Sequence, residues 1–188
     1  TIYPPFCQLV YMISAWLSHG DLYTGTIIMR LWSIAAETGT ALLIVRLLRR
    51  AGMDQNRLIY YWLNPLVVLE LSGNLHPEVF MICFVLLAVN AIQHRRLVWG
   101  ALFFSLAVSS KLIPLMLLPF FYKRLGGVQA IRFYALTGVF VLLEFLPLLS
   151  EAFLHGFTSS FLLYFQKFEF NASIYYIIRQ VGYWLVGW

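Results

Sequence analysis

The stretch Leu97-Val-Trp-Gly-Ala-Leu-Phe-Phe-Ser-Leu-Ala-Val-Ser-Ser-Lys111-Leu-Ile-Pro114-Leu-Met-Leu-Leu-Pro-Phe-Phe121 decides the class of fold. A bilayer span needs about 20 apolar residues, and this run exceeds that with one charge inside it. Similar blocks recur along the 188 residues, of which 61% are hydrophobic and 11% charged. A soluble domain is nearer 45–50% apolar and about 25% charged. So few charges cannot cover a water-facing surface, which excludes a soluble enzyme, and disorder needs the opposite composition. The blocks are too continuous for the alternating segments of about ten residues found in a membrane barrel. The chain reads as an all-α, multi-pass integral membrane protein.

Working outward, seven apolar segments can be marked: 6–17, 22–48, 58–71, 79–92, 97–121, 133–149 and 174 onward. The first follows Pro4-Pro5 and reaches only about 18 Å as a helix, too short to span. Orientation follows from the short loops. Arg46, Arg49, Arg50 and Arg57, then Arg95 and Arg96, then Lys123, Arg124 and Arg132 define three basic loops. The stretches 18–25 and 72–78 carry no Lys or Arg. The positive-inside rule puts the basic loops in the cytoplasm, so 72–78 and 150–173 face outward. The opening stretch, 97–121, then has cytoplasmic charge at both ends. It reads as a broken, non-spanning helix pair with its apex near Ser109-Ser110-Lys111, helped by Pro114. Such a break survives only where protein or a wet cavity satisfies the backbone.

The expected organisation is one transmembrane domain over 1–188, read as an internal fragment truncated at both ends. Residues 1–20 form an outer interfacial helix, 22–149 the transmembrane core, 150–173 an outer loop and 174–188 the start of the next helix. The net charge of +5 reports orientation and not nucleic-acid binding. Cys7 and Cys83 each sit in an apolar run, where a lone cysteine acts as a small hydrophobe.

The densest polar cluster is Glu70-Leu-Ser-Gly-Asn74-Leu-His76-Pro-Glu78. It is either a solvated loop or a site at the mouth of a helical bundle. His76 and Glu78 could ligate a metal, but two groups without a third do not define a site. Lys111 is a cation deep in an apolar run. It either snorkels or pairs with Glu144, or it meets a lipid phosphate, the default reading for an intramembrane charge. Arg30 and Glu37 lie two turns apart on one face of the second segment, as a structural seam or a cavity wall. Arg179 either anchors at headgroups among Tyr175 and Tyr176 or forks onto a phosphate.

Several motifs occur in order: Tyr3-Pro4-Pro5 with Gln8, Trp62-Leu63-Asn64-Pro65-Leu66 with Glu70, and Asn74-Leu75-His76-Pro77-Glu78. Ser110-Lys111-Leu112-Ile113-Pro114-Leu115 follows, then Leu118-Pro119, then Phe168-Glu169-Phe170-Asn171 to Tyr176 with Arg179. The ordered set resembles the multi-pass GT-C glycosyltransferases. The nearest pattern is that of bacterial polyprenyl-phosphate-mannose-dependent mannosyltransferases, with the GPI mannosyltransferase I type more distant. The resemblance implies transfer of a hexose, most simply mannose, from a lipid-phosphate donor to a glycan, lipid or protein acceptor on the outer face. It implies a carboxylate base upstream of Tyr3-Pro4-Pro5, so none of the residues present is assigned as catalytic. Tyr3, Gln8, Glu70, Asn74, His76, Glu78 and Asn171 are the expected sugar or acceptor pocket, and Lys111, Arg179 and Arg30 the lipid-phosphate contacts. No metal ligand set is assigned, although a divalent ion stays open as a cofactor. The expected location is the bacterial inner membrane. A secondary transporter or a non-catalytic membrane subunit are the other readings, since broken helices and midplane charges occur in transporters too.

Overall fold

The computed structural model describes residues 4–149, 156, 159 and 173–186. Every regular element among them is helical. They fall into two compact units, one ending at Leu149 and one containing the last helix.

In the larger unit, α1 (Pro5–Leu17) starts with proline in its first turn, where no N–H is needed. It turns through His19 and Gly20, both with positive φ, into α2 (Leu22–Arg50). Asp21 caps α2 by accepting from Thr24 N at 2.8 Å, and this bond holds its carboxyl below the usual range. After a 3-10 turn at Gln55–Leu58 comes the short α3 (Ile59–Trp62). Asn64-Pro65 interrupts the apolar run as expected. Asn64 Oδ1 accepts from Leu66 N at 3.0 Å, and a π-helical segment follows over Val67–Gly73. Then come α4 (Glu78–Gln93) and α5 (Leu97–Val108), joined by a three-residue turn.

The chain breaks after α5 and passes through a 3-10 turn at Ile113–Leu117 into α6 (Leu118–Leu125). The interruption at 109–112 therefore falls where the charge placement put it. The next helix differs from expectation. α7 (Gly127–Phe145) begins at Gly127, not Phe133, so the basic loop shrinks to a turn at Gly126, whose φ is +77°. Arg132 thus sits on a helix. A 3-10 turn at Leu146–Leu148 ends this unit, and α8 (Ser173–Val186) belongs to the other.

Two helices are long and apolar enough to cross a membrane, Leu22–Arg50 and Gly127–Leu148. α1, α4 and α5 are shorter apolar helices. Leu31 and Leu42 on α2 and Leu142 and Leu143 on α7 point outward, leaving an apolar exterior that lipid or further helices would cover.

The core lies among α4, α5, α6 and α7. Phe104 and Phe133 are fully buried, and their rings meet Phe121 at centroid distances of 5.0 and 5.1 Å. Small residues bring α4 and α5 together: Ala88 and Ala101 are fully buried. A Cβ on Gly100 would lie 2.8 Å from Ile92 Cγ1. Between apolar helices in lipid such close approach replaces the hydrophobic drive that water supplies to soluble proteins.

Candidate functional site

Because α4 and α5 are antiparallel neighbours joined by a tight turn, the start of α4 lies beside the end of α5. This brings Glu78 to Lys111, whose ammonium donates to Glu78 Oε1. The sequence alternative, Lys111 with Glu144, is not what forms. Glu144 instead accepts from Ser105 Oγ at 2.8 Å and from Ser109 Oγ, tying α7 to the last turn of α5.

The loop before α4 extends the array. His76 Nδ1 lies 3.3 Å from Glu78 Oε2, and His76 Nε2 lies 3.3 Å from Glu70 Oε2. Asn74 Nδ2 donates to Glu70 Oε2 at 3.2 Å. The backbone makes this possible. Asn74 N closes a wide turn on Leu69 O at 2.9 Å, Leu75 takes φ +57°, and His76 N reaches back to Glu70 O at 3.3 Å. Buried Val79, packed with Val67 and Leu71, anchors the far side of the loop. The product is a chain of alternating sign: Glu70, His76, Glu78, Lys111. It runs from a half-exposed end at Glu70 to Glu78, whose side chain is 24% exposed. Glu78 Oε2 is buried and takes no aligned hydrogen bond among the described residues, so its contact with His76 is electrostatic in character.

α1 completes the surroundings by satisfying the backbone freed where α5 ends. Phe6 N donates to Ser109 O at 3.0 Å, and Cys7 Sγ donates to Ser110 O at 3.3 Å. The ring of Phe6 meets Phe80 and Phe84 edge-on at 5.4 and 4.8 Å. Burial, with Glu78 nearby, pushes the Cys7 thiol up to about 12, so it serves as a donor and not a nucleophile. Gln8 is half-buried on the same turn of α1. Sequence reasoning missed the part played by Cys7, Ser105 and Ser109. The serine spacing of four on one helix face was the available signal.

Other expected residues lie apart from this array. Glu37 is buried and accepts from Tyr61 OH at 3.1 Å, whereas Arg30 is exposed on α2. No hydrogen bond or ion pair printed by the geometry joins them among the described residues, so the expected seam is replaced by a Glu37–Tyr61 link. In the smaller unit, the Arg179 guanidinium lies over the rings of Tyr175, Tyr176 and Tyr183 at 5.5, 4.8 and 6.0 Å. Tyr3 and Asn171 lie outside the described residues. Among the described residues no three of His, Cys, Asp and Glu are set to hold a metal ion. Glu70, His76 and Glu78 are engaged with one another and with Lys111.

A helical chain with an apolar exterior and a charged array at a helix break is the kind of scaffold expected of a GT-C glycosyltransferase. Residues 1–125 match the MptA_B family model, described as the N-terminal domain of alpha-(1->6)-mannopyranosyltransferase, and the chain belongs to this family of mannosyltransferases. The match includes every member of the charged array. No curated protein and no solved structure matches the chain.

Proposed function

We propose that the chain forms part of a multi-pass mannosyltransferase of the bacterial inner membrane. It takes mannose from a polyprenyl-phosphate donor to an acceptor hydroxyl on the outer face. The observation that carries this is the ammonium of Lys111, held at the break after α5 with its side chain 38% exposed, within a mannosyltransferase family domain. The family assignment favours transfer over the transporter and non-catalytic readings.

In the reaction the acceptor oxygen forms a bond to the anomeric carbon while the bond from that carbon to the donor phosphate breaks. The electron pair leaves with the lipid phosphate, and the acceptor proton goes to a carboxylate that the resemblance puts upstream of Thr1. Negative charge grows on the phosphate as the bond lengthens, so a cation fixed beside it lowers the barrier. Lys111 supplies that cation. Glu78 positions the ammonium, and His76 and Glu70 hold Glu78. Gln8, Asn74 and His76, with Tyr3 and Asn171, offer polar groups to sugar or acceptor. Arg30 and Arg179 are further proposed phosphate-level cations, each to be tested singly by glutamine substitution.

Full-length protein in nanodiscs, supplied in turn with radiolabelled polyprenyl-phosphate mannose and a nucleotide-linked mannose, tests the donor. Transfer from the lipid donor alone is expected, and transfer from the nucleotide donor alone overturns the reading. His76→Ala is expected to lower turnover about tenfold, a change of about 1.4 kcal/mol in the barrier, with normal expression. A wild-type rate would return the 72–78 loop to a solvated turn.

Orientation has its own test. The turns at 51–54, 94–96 and 126 are proposed to be cytoplasmic and 72–77 external. A single cysteine at position 127 in a cysteine-free full-length background should be silent to impermeant maleimide in intact cells. Labelling there from outside rejects the orientation.

A further inference from the structure

We propose that the opposite end of the bundle holds a binding site for an anionic phospholipid headgroup, formed by Arg95 and Arg124. The inference rests on the membrane reading but not on sugar transfer. A cavity of about 370 Å³ lies there, lined by Ile92, Arg95, Leu97, Arg124, Leu125 and Gln129. Its size falls in the range of roughly 300–1,000 Å³ typical of small-molecule sites.

The charge in this cavity is uncompensated by the protein. From Val79 to Leu143 the chain carries six Lys and Arg and no Asp or Glu. Among the described residues neither Arg95 nor Arg124 is in an ion pair. Asp54, in the turn after α2, accepts from Asn56 N at 2.9 Å. Two guanidiniums with a neighbouring amide match a phosphate, which Arg binds through two parallel N–H donors.

Backbone conformation at Arg95 is the second observation. α4 ends in a Schellman turn: Arg95 N donates to Ile92 O and Arg96 N to Ala91 O, both at 2.9 Å. The residue in the left-handed position of this motif is usually glycine. Here it is Arg95, at φ +59°. A strained position occupied by a long cation points to a role for the side chain, since the turn itself would be better served without it.

The lining distinguishes a lipid from a soluble phosphate. Ile92, Leu97 and Leu125 form an apolar wall where α4, α5 and α6 meet the polar turns. Trp99 and Tyr122, each two residues from a lining residue, are 54% exposed. Such rings settle at the level of lipid headgroups. A phosphodiester in the cavity with its acyl chains along the apolar wall satisfies both halves, as basic pockets between helices on the cytoplasmic side do.

Native mass spectrometry of full-length protein in zwitterionic detergent, titrated with phosphatidylglycerol or phosphatidylcholine, tests this. Phosphatidylglycerol should bind more tightly, and the Arg95→Gln, Arg124→Gln double variant should lose at least about tenfold of that affinity while phosphatidylcholine binding stays the same. Equal binding of the two lipids, or retained affinity in the double variant, overturns the proposal. A large excess of inorganic phosphate should leave phosphatidylglycerol bound; displacement by phosphate alone rejects the lipid assignment. Arg95→Gly separates function from folding. It should raise the lipid-free melting temperature by relaxing the turn, yet weaken phosphatidylglycerol binding, and wild-type lipid affinity in this variant sinks the proposal.

Discussion

Lys111→Met lowers the affinity of the folded full-length enzyme for polyprenyl-phosphate mannose by about ten- to hundredfold, and slows transfer with it. The size follows from the loss of one charge-assisted contact, about 1.5–3 kcal/mol. Methionine keeps much of the stem, so the change is mainly electrostatic. Glu78→Gln is the contrasting variant. It releases Lys111 from its internal partner, so donor binding holds or rises while turnover falls as the ammonium loses its fixed position. If Lys111 and Glu78 were only a structural pair, both variants would lose stability together and leave kinetics alone. Donor affinity measured by equilibrium binding on detergent-purified protein decides: an unchanged constant in folded Lys111→Met rejects the phosphate contact.

Phe104→Ala destabilises the larger unit by about 3–5 kcal/mol, the usual cost of emptying a fully buried phenylalanine site. Phe104 has no exposed surface and meets both Phe121 and Phe133, at 5.0 and 5.5 Å between centroids. Two helices lean on this ring, α6 through Phe121 and α7 through Phe133. The surrounding residues cannot close the gap without shifting one of them. Reversible unfolding in mixed micelles measures the loss, and a value under about 1 kcal/mol would mean that the three-ring core does not hold α5 in place.

Much of the helix order was readable from hydropathy and charge. The break at 109–112 followed from basic residues at both ends of one apolar run, because charge cannot be buried on both sides of a span without cost. The start of α7 was not readable. Gly126-Gly127 and Gln129 look like a loop, and Arg132 adds a charge, so the first turns lack an apolar signature although the backbone is helical. The partner of Lys111 escaped for a topological reason. Glu144 shares its apolar setting, but Glu78 shares its end of the α4–α5 hairpin, and proximity in a hairpin depends on helix lengths that hydropathy fixes only loosely. The array through His76 depended on a left-handed Leu75, which nothing in that residue type announces. Arg95 hid its role in the same way, since a leucine or arginine at φ near +60° is a property of the fold and not of local propensity.

The π-helical segment Val67–Gly73 amounts to one residue too many for an α-helical register. Its excess is what turns Glu70 and the following loop towards the start of α4. Removing a single residue from this segment would let an ordinary helix form, and everything after it would rotate by about 100°, the angle between successive α-helical residues. Lineages that gain or lose one codon here would therefore change the direction in which the 70–78 loop faces without altering any of its side chains. The spacing from Asn64-Pro65 to His76 is thus under geometric constraint, and length at this point matters more than the identity of the apolar residues that fill it.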